Sequence, residues 1–183
     1  NVKYTGIYEG PTFSEHTHGK SLSGNQAISN RLAAQYNLSK AMNAGFQARI
    51  KTIFDANEGF RATSENHRFF ANFKNVAAVE NVSMDLTGKV ILPTANSSHN
   101  ATMNGGIEVT PTFNINIPNS RFSLSYAPQF QQYSYSNNVA AGGGGMPGTY
   151  LCHNIEGAYQ MSPSTSLTMG LYPEYYSIPS VSK

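Results

Sequence analysis

The sequence predicts an all-β fold, an antiparallel up-and-down transmembrane β-barrel formed by a single domain over residues 1–183. Three observations predict it. Stretch after stretch alternates apolar with polar residues, which gives a strand one apolar and one polar face. All but one of these stretches reach or exceed the length of about nine to eleven residues that a tilted strand needs to cross a bilayer, whereas soluble strands usually have about five or six. The connections alternate between long and short, as the loops and turns of outer-membrane barrels do.

The composition agrees with this fold class. Only 12% of the residues are charged, yet the mean hydropathy of −0.36 is hydrophilic, because Asn, Ser, Thr and Gln supply the polarity. Barrels combine these properties since the lumen side of each strand is polar, although a secreted β-sandwich can combine them too. No run of about 20 apolar residues offers a transmembrane helix. The net charge of +2, without a basic stripe, argues against a nucleic-acid partner.

Five strands are predicted in the first half of the chain. They cover residues 2–12, 26–38, 41–54, 69–76 and 82–92. The third is the clearest, because apolar residues occupy every even position from Met42 to Ile50 and polar residues or glycine occupy the odd ones. The others alternate in the same way, with apolar faces that carry Val2, Tyr4, Tyr8, Ile28, Leu32, Tyr36, Phe69, Phe73, Met84, Leu86 and Val90.

Four more strands are predicted in the second half, where the alternation is cleaner. They cover residues 106–117, 121–135, 149–161 and 166–176. Their apolar faces carry Ile107, Val109, Phe113, Ile115, Phe122, Leu124, Tyr126, Phe130, Leu151, Ile155, Tyr159, Leu167, Met169 and Leu171. Three prolines, Pro111, Pro128 and Pro173, interrupt them. Because proline donates no backbone hydrogen bond, we expect these residues to mark a line of bulges, a membrane boundary or an earlier strand end.

The connections between these strands orient the predicted barrel. Long loops are expected at residues 13–25, 55–68, 93–105 and 136–148, and short turns at residues 37–40, 77–81, 118–120 and 162–165. The third turn has strong turn chemistry in Pro118, Asn119 and Ser120. A Greek-key sandwich has no reason to alternate in this way, whereas a barrel places all short turns on the periplasmic side. A soluble up-and-down barrel would also alternate, with its apolar face inside.

Charged residues on the polar faces are predicted to line the lumen. They are Arg31, Arg49, Lys51, Lys74, Asp85, Lys89, Glu108, Glu156 and Glu174. The apolar faces carry no charge in mid-strand, while Tyr and Phe are frequent toward strand ends, as in interfacial girdles. Most basic members belong to the first half and most acidic members to the second. A basic wall and an acidic wall that face each other across the lumen would select solutes by charge. Alternatively, ion pairs between the two walls fill a narrow lumen.

A resemblance adds to this interpretation. The segment Arg31-Leu32-Ala33-Ala34-Gln35-Tyr36-Asn37-Leu38-Ser39, followed by Met42-Asn43-Ala44-Gly45-Phe46-Gln47-Ala48-Arg49, resembles a periplasmic hairpin of porin-like Gram-negative outer-membrane β-barrels. The resemblance implies an integral protein of the bacterial outer membrane that contacts lipid and lipopolysaccharide and passes small polar solutes. It also leaves room for a protein partner or a homo-oligomer.

Two departures from that pattern matter. The chain ends in Val181, Ser182 and Lys183, where such barrels end in an aromatic residue, and nine strands are an odd number, where bacterial barrels have an even one. We therefore expect the complete protein to have ten or more strands, with a C-terminal part that this sequence lacks. Alternatively, other chains supply the missing wall.

Other functions find little support in the sequence. No nucleophile elbow or zinc-binding helix indicates an enzyme, and no cofactor or metal is expected. The pair His16 and His18 offers imidazoles to a divalent metal only if another loop approaches, and Cys152 is expected to be a buried thiol. Two alternatives stay open: an outer-membrane protein with a plugged lumen whose loops bind a partner, and a soluble secreted β-domain such as an adhesin module.

Overall fold

A computed structural model describes residues 1–9, 26–55, 59–100, 102–136 and 148–177 of the chain. Eleven strands and one short helix are present in these residues. The strands are β1 (Val2–Glu9), β2 (Gln26–Asn37), β3 (Met42–Asp55), β4 (Gly59–Ser64), β5 (Arg68–Val79), β6 (Val82–Ile91), β7 (Met103–Asn116), β8 (Phe122–Tyr135), β9 (Thr149–Ser162), β10 (Thr165–Leu171) and β11 (Glu174–Ser177). The helix, α1 (Asn96–Asn100), lies between β6 and β7. No helix in the described ranges has the length and apolar character needed to span a membrane.

All eleven strands belong to one antiparallel sheet. Strands that follow one another in the sequence pair with one another, in the order β1-β2-β3-β5-β6-β7-β8-β9-β10. Strand β4 also pairs with β3, and β11 also pairs with β9, so the eleven strands occupy nine positions across the sheet. This confirms the predicted all-β, antiparallel arrangement with its nine strand positions.

Two strand positions are split, each for its own reason. Both β4 and β5 pair with β3. Three residues, 65–67, lie between β4 and β5, but only two residues of β3 lie between the part that pairs with β4 and the part that pairs with β5. The extra residue is a bulge-like insertion. Strands β10 and β11 keep one register against β9, and the interruption between them contains Pro173. The Pro173 carbonyl still accepts a hydrogen bond from the His153 backbone N–H at 3.0 Å, but proline has no N–H to return.

The prolines inside the sheet lie side by side. The register of β7 and β8 places Pro111 opposite Pro128, and Pro128 pairs with His153 of β9. Between β7 and β8 the residue pairing is interrupted around the two prolines, but the register is the same on both sides. The prolines therefore form a row across neighbouring strands, but the expected line of bulges is wrong, because the ladder of β7 and β8 opens at the prolines without a change of register.

The prediction of a long loop at residues 55–68 is wrong. Strand β4 lies within it and pairs with the last part of β3, so the connection between β3 and β4 is confined to residues 56–58, outside the described residues. All four short turns are confirmed, with chain reversals at residues 38–41, 80–81, 118–121 and 163–164. The loop at 93–105 contains α1, and the loops at 13–25 and 136–148 lie almost wholly outside the described residues.

The predicted closure into a barrel is not present in the described residues. Among them, β1 pairs only with β2, and β10 pairs only with β9. The physical reason is the odd number of positions. In an up-and-down sheet the first and ninth positions run in the same direction, so β1 and β10 cannot complete an antiparallel ladder with each other.

Compared with a soluble protein, the two faces of the sheet have the opposite polarity: the exposed face is apolar and the buried face is polar. Apolar residues on one face are exposed, among them Phe69 at 53%, Val90 at 51% and Ile107 at 52%, although they lie in paired positions of central strands. On the other face Glu108 and Gln131 are buried. Soluble proteins distribute these residue types the other way round. The predicted division into an apolar and a polar face is therefore confirmed, and the apolar face is the outer one.

The sheet is strongly curled, with the polar face on its concave side. Arg31 of β2 and Tyr150 of β9 line the same cavity of about 330 Å³. Six strand-to-strand steps separate β2 from β9, which would place the two about 29 Å apart on a flat sheet. Such a cavity is far too small to bridge that distance, so the strands between them must curve around it.

Candidate functional site

The centre of the polar interior is the carboxylate of Glu108. Its side chain is fully buried, and it accepts hydrogen bonds from Arg68 Nη1 at 2.6 Å and Gln131 Nε2 at 3.0 Å, as well as from Lys89 Nζ. Lys89 and Gln131 are its partners in register on β6 and β8, on either side of β7. Charge-assisted hydrogen bonds of this kind are the strong ones, so this cluster ties four strands together.

Four basic side chains surround the cavity beside this carboxylate. Arg31, Arg49, Arg68 and Lys89 come from β2, β3, β5 and β6 and share the lining with Gln129, Gln131, Tyr133 and Tyr150. The in-strand alternation places each of them on the inner face, and the curl of the sheet makes them converge. The lining is almost entirely polar, so the cavity suits a hydrated or charged occupant.

The basic residues are close together without enough acidic partners. Arg31 and Arg49 are directly opposite each other in the register of β2 and β3, an arrangement that destabilises a sheet because like charges repel. Arg49 forms one ion pair, from Nη2 to Glu65 Oε2 at 3.5 Å. The Nε atoms of Arg31, Arg49 and Arg68 are buried and have no hydrogen-bond partner among the described residues.

A second cavity of about 400 Å³ adjoins the first. Both are lined by Arg49, Arg68 and Tyr133, and the second extends past Lys51 to residues 63–66 and to the connection that carries α1. Together the two cavities occupy the space along the concave face, where the second is lined by Ile91 and Ala95 as well as by polar residues.

The connection between β6 and β7 folds into this space. Asn66 Oδ1 accepts hydrogen bonds from the Ala95 backbone N–H at 3.1 Å and from Ser98 Oγ at 2.8 Å. Thr94 Oγ1 accepts from the His67 backbone N–H and donates to the Glu65 carbonyl, both at 2.9 Å. Ala95 and Ser98 are buried. The connection is thus attached to the inner side of the bulge at residues 65–67 and narrows one end of the interior.

The sequence-predicted charges divide into two groups. Arg31, Arg49, Lys51, Lys89 and Glu108 meet at the two cavities. Glu108 is paired with basic residues there and does not face them across open space.

The remaining predicted charges lie apart from the cavities. Lys74 is exposed where β5 bulges near its turn. Asp85 accepts a hydrogen bond from the Asn75 backbone N–H at 2.8 Å. Glu156 and Glu174 accept hydrogen bonds from the Tyr172 hydroxyl at 2.6 Å and the Tyr150 hydroxyl at 2.9 Å, respectively.

Sequence reasoning missed Arg68, Glu65, Tyr133 and Tyr150 as members of the site. The predicted loop 55–68 ends at Arg68. However, Phe69, Ala71 and Phe73 lie on the outer face, so the same alternation puts Arg68, one residue before Phe69, on the inner face. That signal was available. Glu65 carried no comparable signal, because it reaches Arg49 only through the bulge between β4 and β5.

The other candidate residues do not form a further site. Cys152 is buried, as expected, and its Sγ lies 3.3 Å from Asn154 Oδ1. His153 lies on the outer face with its Nδ1 2.8 Å from the Tyr126 hydroxyl. His16 and His18 fall outside the described residues. Within the described ranges, no three His, Cys, Asp or Glu side chains are grouped so that they could hold a metal ion.

Comparisons of the chain with protein-family models, with curated proteins and with solved structures found no match. The chemistry of the site therefore follows from its own residues. Its features are a curled sheet with exposed apolar residues outside, a polar space inside, and a dominant positive charge along that space.

Proposed function

We propose that the chain forms the wall of an outer-membrane β-barrel that passes small polar solutes through its interior. The observation that carries the proposal is the inverted polarity of the curled sheet. Leu32, Phe69, Val90 and Ile107 are each about half exposed or more on the outer face, whereas Glu108 is buried inside. An apolar band outside and a polar interior are the two requirements of a transmembrane barrel.

The alternative environment, water, does not suit the outer face. Exposed apolar residues follow one another across the whole sheet, from Tyr4 on β1 to Met169 on β10. Monomeric soluble proteins rarely expose contiguous apolar patches of more than a few hundred Å². A soluble, adhesin-like β-domain would therefore need another layer to cover this face. Lipid provides that cover without a specific partner.

The proposal has a structural requirement at the two sheet edges. Unpaired backbone groups cost several kcal/mol each in lipid, so open edges are not tolerated there. In the membrane, β1 and β10 must therefore be paired by strands other than those described. One additional antiparallel strand between them would bring the number of positions to ten, and a second chain would serve the same purpose.

The interior supports a passage for small solutes. The two cavities adjoin on the concave face, where Arg49, Arg68 and Tyr133 line both of them. The connection that carries α1 narrows this space at one end, and a narrowed polar passage admits small polar molecules selectively.

A second function, an interaction protein with a plugged lumen, is favoured by one observation. Glu108 is bonded to Arg68, Lys89 and Gln131 on neighbouring strands of the inner wall, and side chains that bond to one another in this way can occupy part of a narrow lumen. In that case the outer-membrane barrel would serve as a support for partner-binding loops.

Single-channel recording in planar lipid bilayers distinguishes these two functions. We expect stepwise conductance from the protein refolded in detergent, and a higher conductance from Tyr133→Ala, because Tyr133 lines both cavities. Tyr36→Ala is the matched control, since Tyr36 is 74% exposed on the outer face, and it should leave the conductance unchanged. Insertion without conductance, in the wild type and in Tyr133→Ala alike, would contradict the channel and favour the plugged barrel.

A further inference from the structure

We infer that the cavity beside Glu108 is a binding site for an anionic oxygen group, either phosphate or carboxylate, carried by a small solute. The inference deepens the proposed function and rests on it, because it names the class of solute that the interior takes. Three observations carry it: an excess of positive charge on partly buried side chains, donor atoms without partners in the described part of the chain, and the size of the cavity.

The charge excess follows from the residues around this cavity. The cavity beside Glu108 is lined by four basic side chains, Arg31, Arg49, Arg68 and Lys89, whereas the carboxylates among the described residues that pair with them are Glu65 and Glu108. Glu108 already accepts three hydrogen bonds and so has little capacity left to neutralise the others. Buried charge without compensation is costly, and a bound anion would supply the compensation.

The arrangement of the arginines is difficult to explain by folding alone. Arg31 and Arg49 are opposite each other on neighbouring strands, where a neutral residue at either position would remove the repulsion. Their Nε atoms and that of Arg68 are buried without a hydrogen-bond partner in the described part of the chain. Unsatisfied buried donors are uncommon in proteins, and three on converging guanidinium groups indicate a ligand that accepts hydrogen bonds.

The chemistry of the donors defines the ligand. A guanidinium group presents a planar fork of N–H donors that matches the two oxygens of a carboxylate or phosphate. The cavity volume of about 330 Å³ lies at the lower end of the range for small-molecule sites, about 300–1,000 Å³. It therefore fits one small anionic group with part of the solute that carries it. Gln129 and Gln131, in the same lining, can hydrogen-bond its remaining oxygens.

Equilibrium binding to the intact chain in detergent tests the site independently of transport. Inorganic phosphate and succinate are titrated separately by calorimetry, so the two arms distinguish a phosphate site from a carboxylate site. We expect at least one of them to bind, and Arg31→Gln with Arg49→Gln to weaken that binding by about tenfold or more, because the variant loses two guanidinium groups whose hydrogen bonds to an anion are charge-assisted.

Arg121→Gln is the matched control. Arg121 is exposed next to the turn at residues 118–121 and does not line either interior cavity, so this variant should bind like the wild type. No measurable binding of either anion, or equal weakening by Arg121→Gln, would overturn the site. The double variant removes the repulsion between Arg31 and Arg49 but also the ion pair of Arg49 with Glu65, so Arg31→Gln alone, which keeps that ion pair, is measured beside it and should also weaken the binding.

The outcomes for the site and for the channel can be told apart. Anion binding without conductance in the bilayer would support the site and reject the channel. Conductance that prefers cations, combined with no anion binding, would support the channel and overturn the site. If both proposals hold, phosphate should reduce the chloride current of the wild type, and the double variant should lose most of this block.

Discussion

At the residue scale, Glu108 is the position on which the interior depends most. Within the described part of the chain, it is the carboxylate that pairs with both Arg68 and Lys89, and its side chain is fully buried. Removing one partner of a buried ion pair leaves an uncompensated charge, which costs about 3–5 kcal/mol. The pairing of Glu108 is therefore expected to contribute strongly to the stability of β5 to β8.

We expect Glu108→Gln to lower the free energy of unfolding by about 3–5 kcal/mol, because Arg68 and Lys89 would then be buried without their carboxylate. Denaturant unfolding in lipid vesicles measures this. Glu156→Gln is the matched control, since Glu156 accepts a hydrogen bond from the Tyr172 hydroxyl that a glutamine oxygen can still accept. Its effect should stay within about 1 kcal/mol. Equal effects of the two variants would contradict the central role of Glu108.

The sequence predicted the inner-face charges but not their partners. Alternation alone assigned Arg31, Arg49 and Glu108 to the polar face, and the structure brings these three together. The bond between Arg68 and Glu108 skips over β6, so it depends on the curl of the sheet and on the exact start of β5. Neither can be obtained from the period of a single strand.

At the element scale, β3 packs tightly against its neighbours at Gly45. A Cβ atom added to Gly45 would lie 2.2 Å from the Ala34 carbonyl oxygen and 2.6 Å from Phe70 Cζ. Gly45 therefore allows the Phe70 ring of β5 to lie against β3 on the inner side. At Gly88 of β6, an added Cβ would have no atom within 4 Å.

This contrast predicts opposite effects for the same substitution. Gly45→Ala should lower the free energy of unfolding by about 1–3 kcal/mol, because β2 or Phe70 must move to relieve the overlap. Gly88→Ala should be neutral or raise it by up to about 1 kcal/mol, because alanine restricts the unfolded chain more than glycine does. Thermal unfolding of both variants in detergent checks this, and destabilisation by Gly88→Ala alone would contradict the packing of β3 against β5.

Most elements could be predicted because each long strand carries its own alternation. Strand β4 was missed, even though Phe60 and Ala62 alternate with Arg61 and Thr63, because this run is short and lies in a polar stretch. The bulge at residues 65–67 then shifts the register by one residue, so β4 and β5 do not form one continuous pattern. The interruption at Pro173, in contrast, follows directly from the missing N–H of proline.

At the scale of the whole molecule, the apolar face of the curled sheet is the face that would meet lipid in the proposed barrel. The sequence predicted two faces of different polarity, but a period of two is the same whether the apolar face is inside or outside. The exposure of Val109 at 40% and the burial of Glu108, its neighbour on β7, place the apolar face outside. How the barrel closes could not be predicted from the sequence either. With an odd number of strand positions, β1 and β10 have to be paired by strands that are not described.

Fluorescence quenching by lipid tests this central claim directly. The chain has no Trp, so Val109→Trp and Thr110→Trp, each made separately, place one fluorophore on the outer or the inner face of β7, near its middle. In vesicles of lipids brominated on their acyl chains, we expect strong quenching of Val109→Trp and little quenching of Thr110→Trp. Equal quenching of the two variants, or no association of the folded protein with the vesicles, would contradict a lipid-facing outer wall.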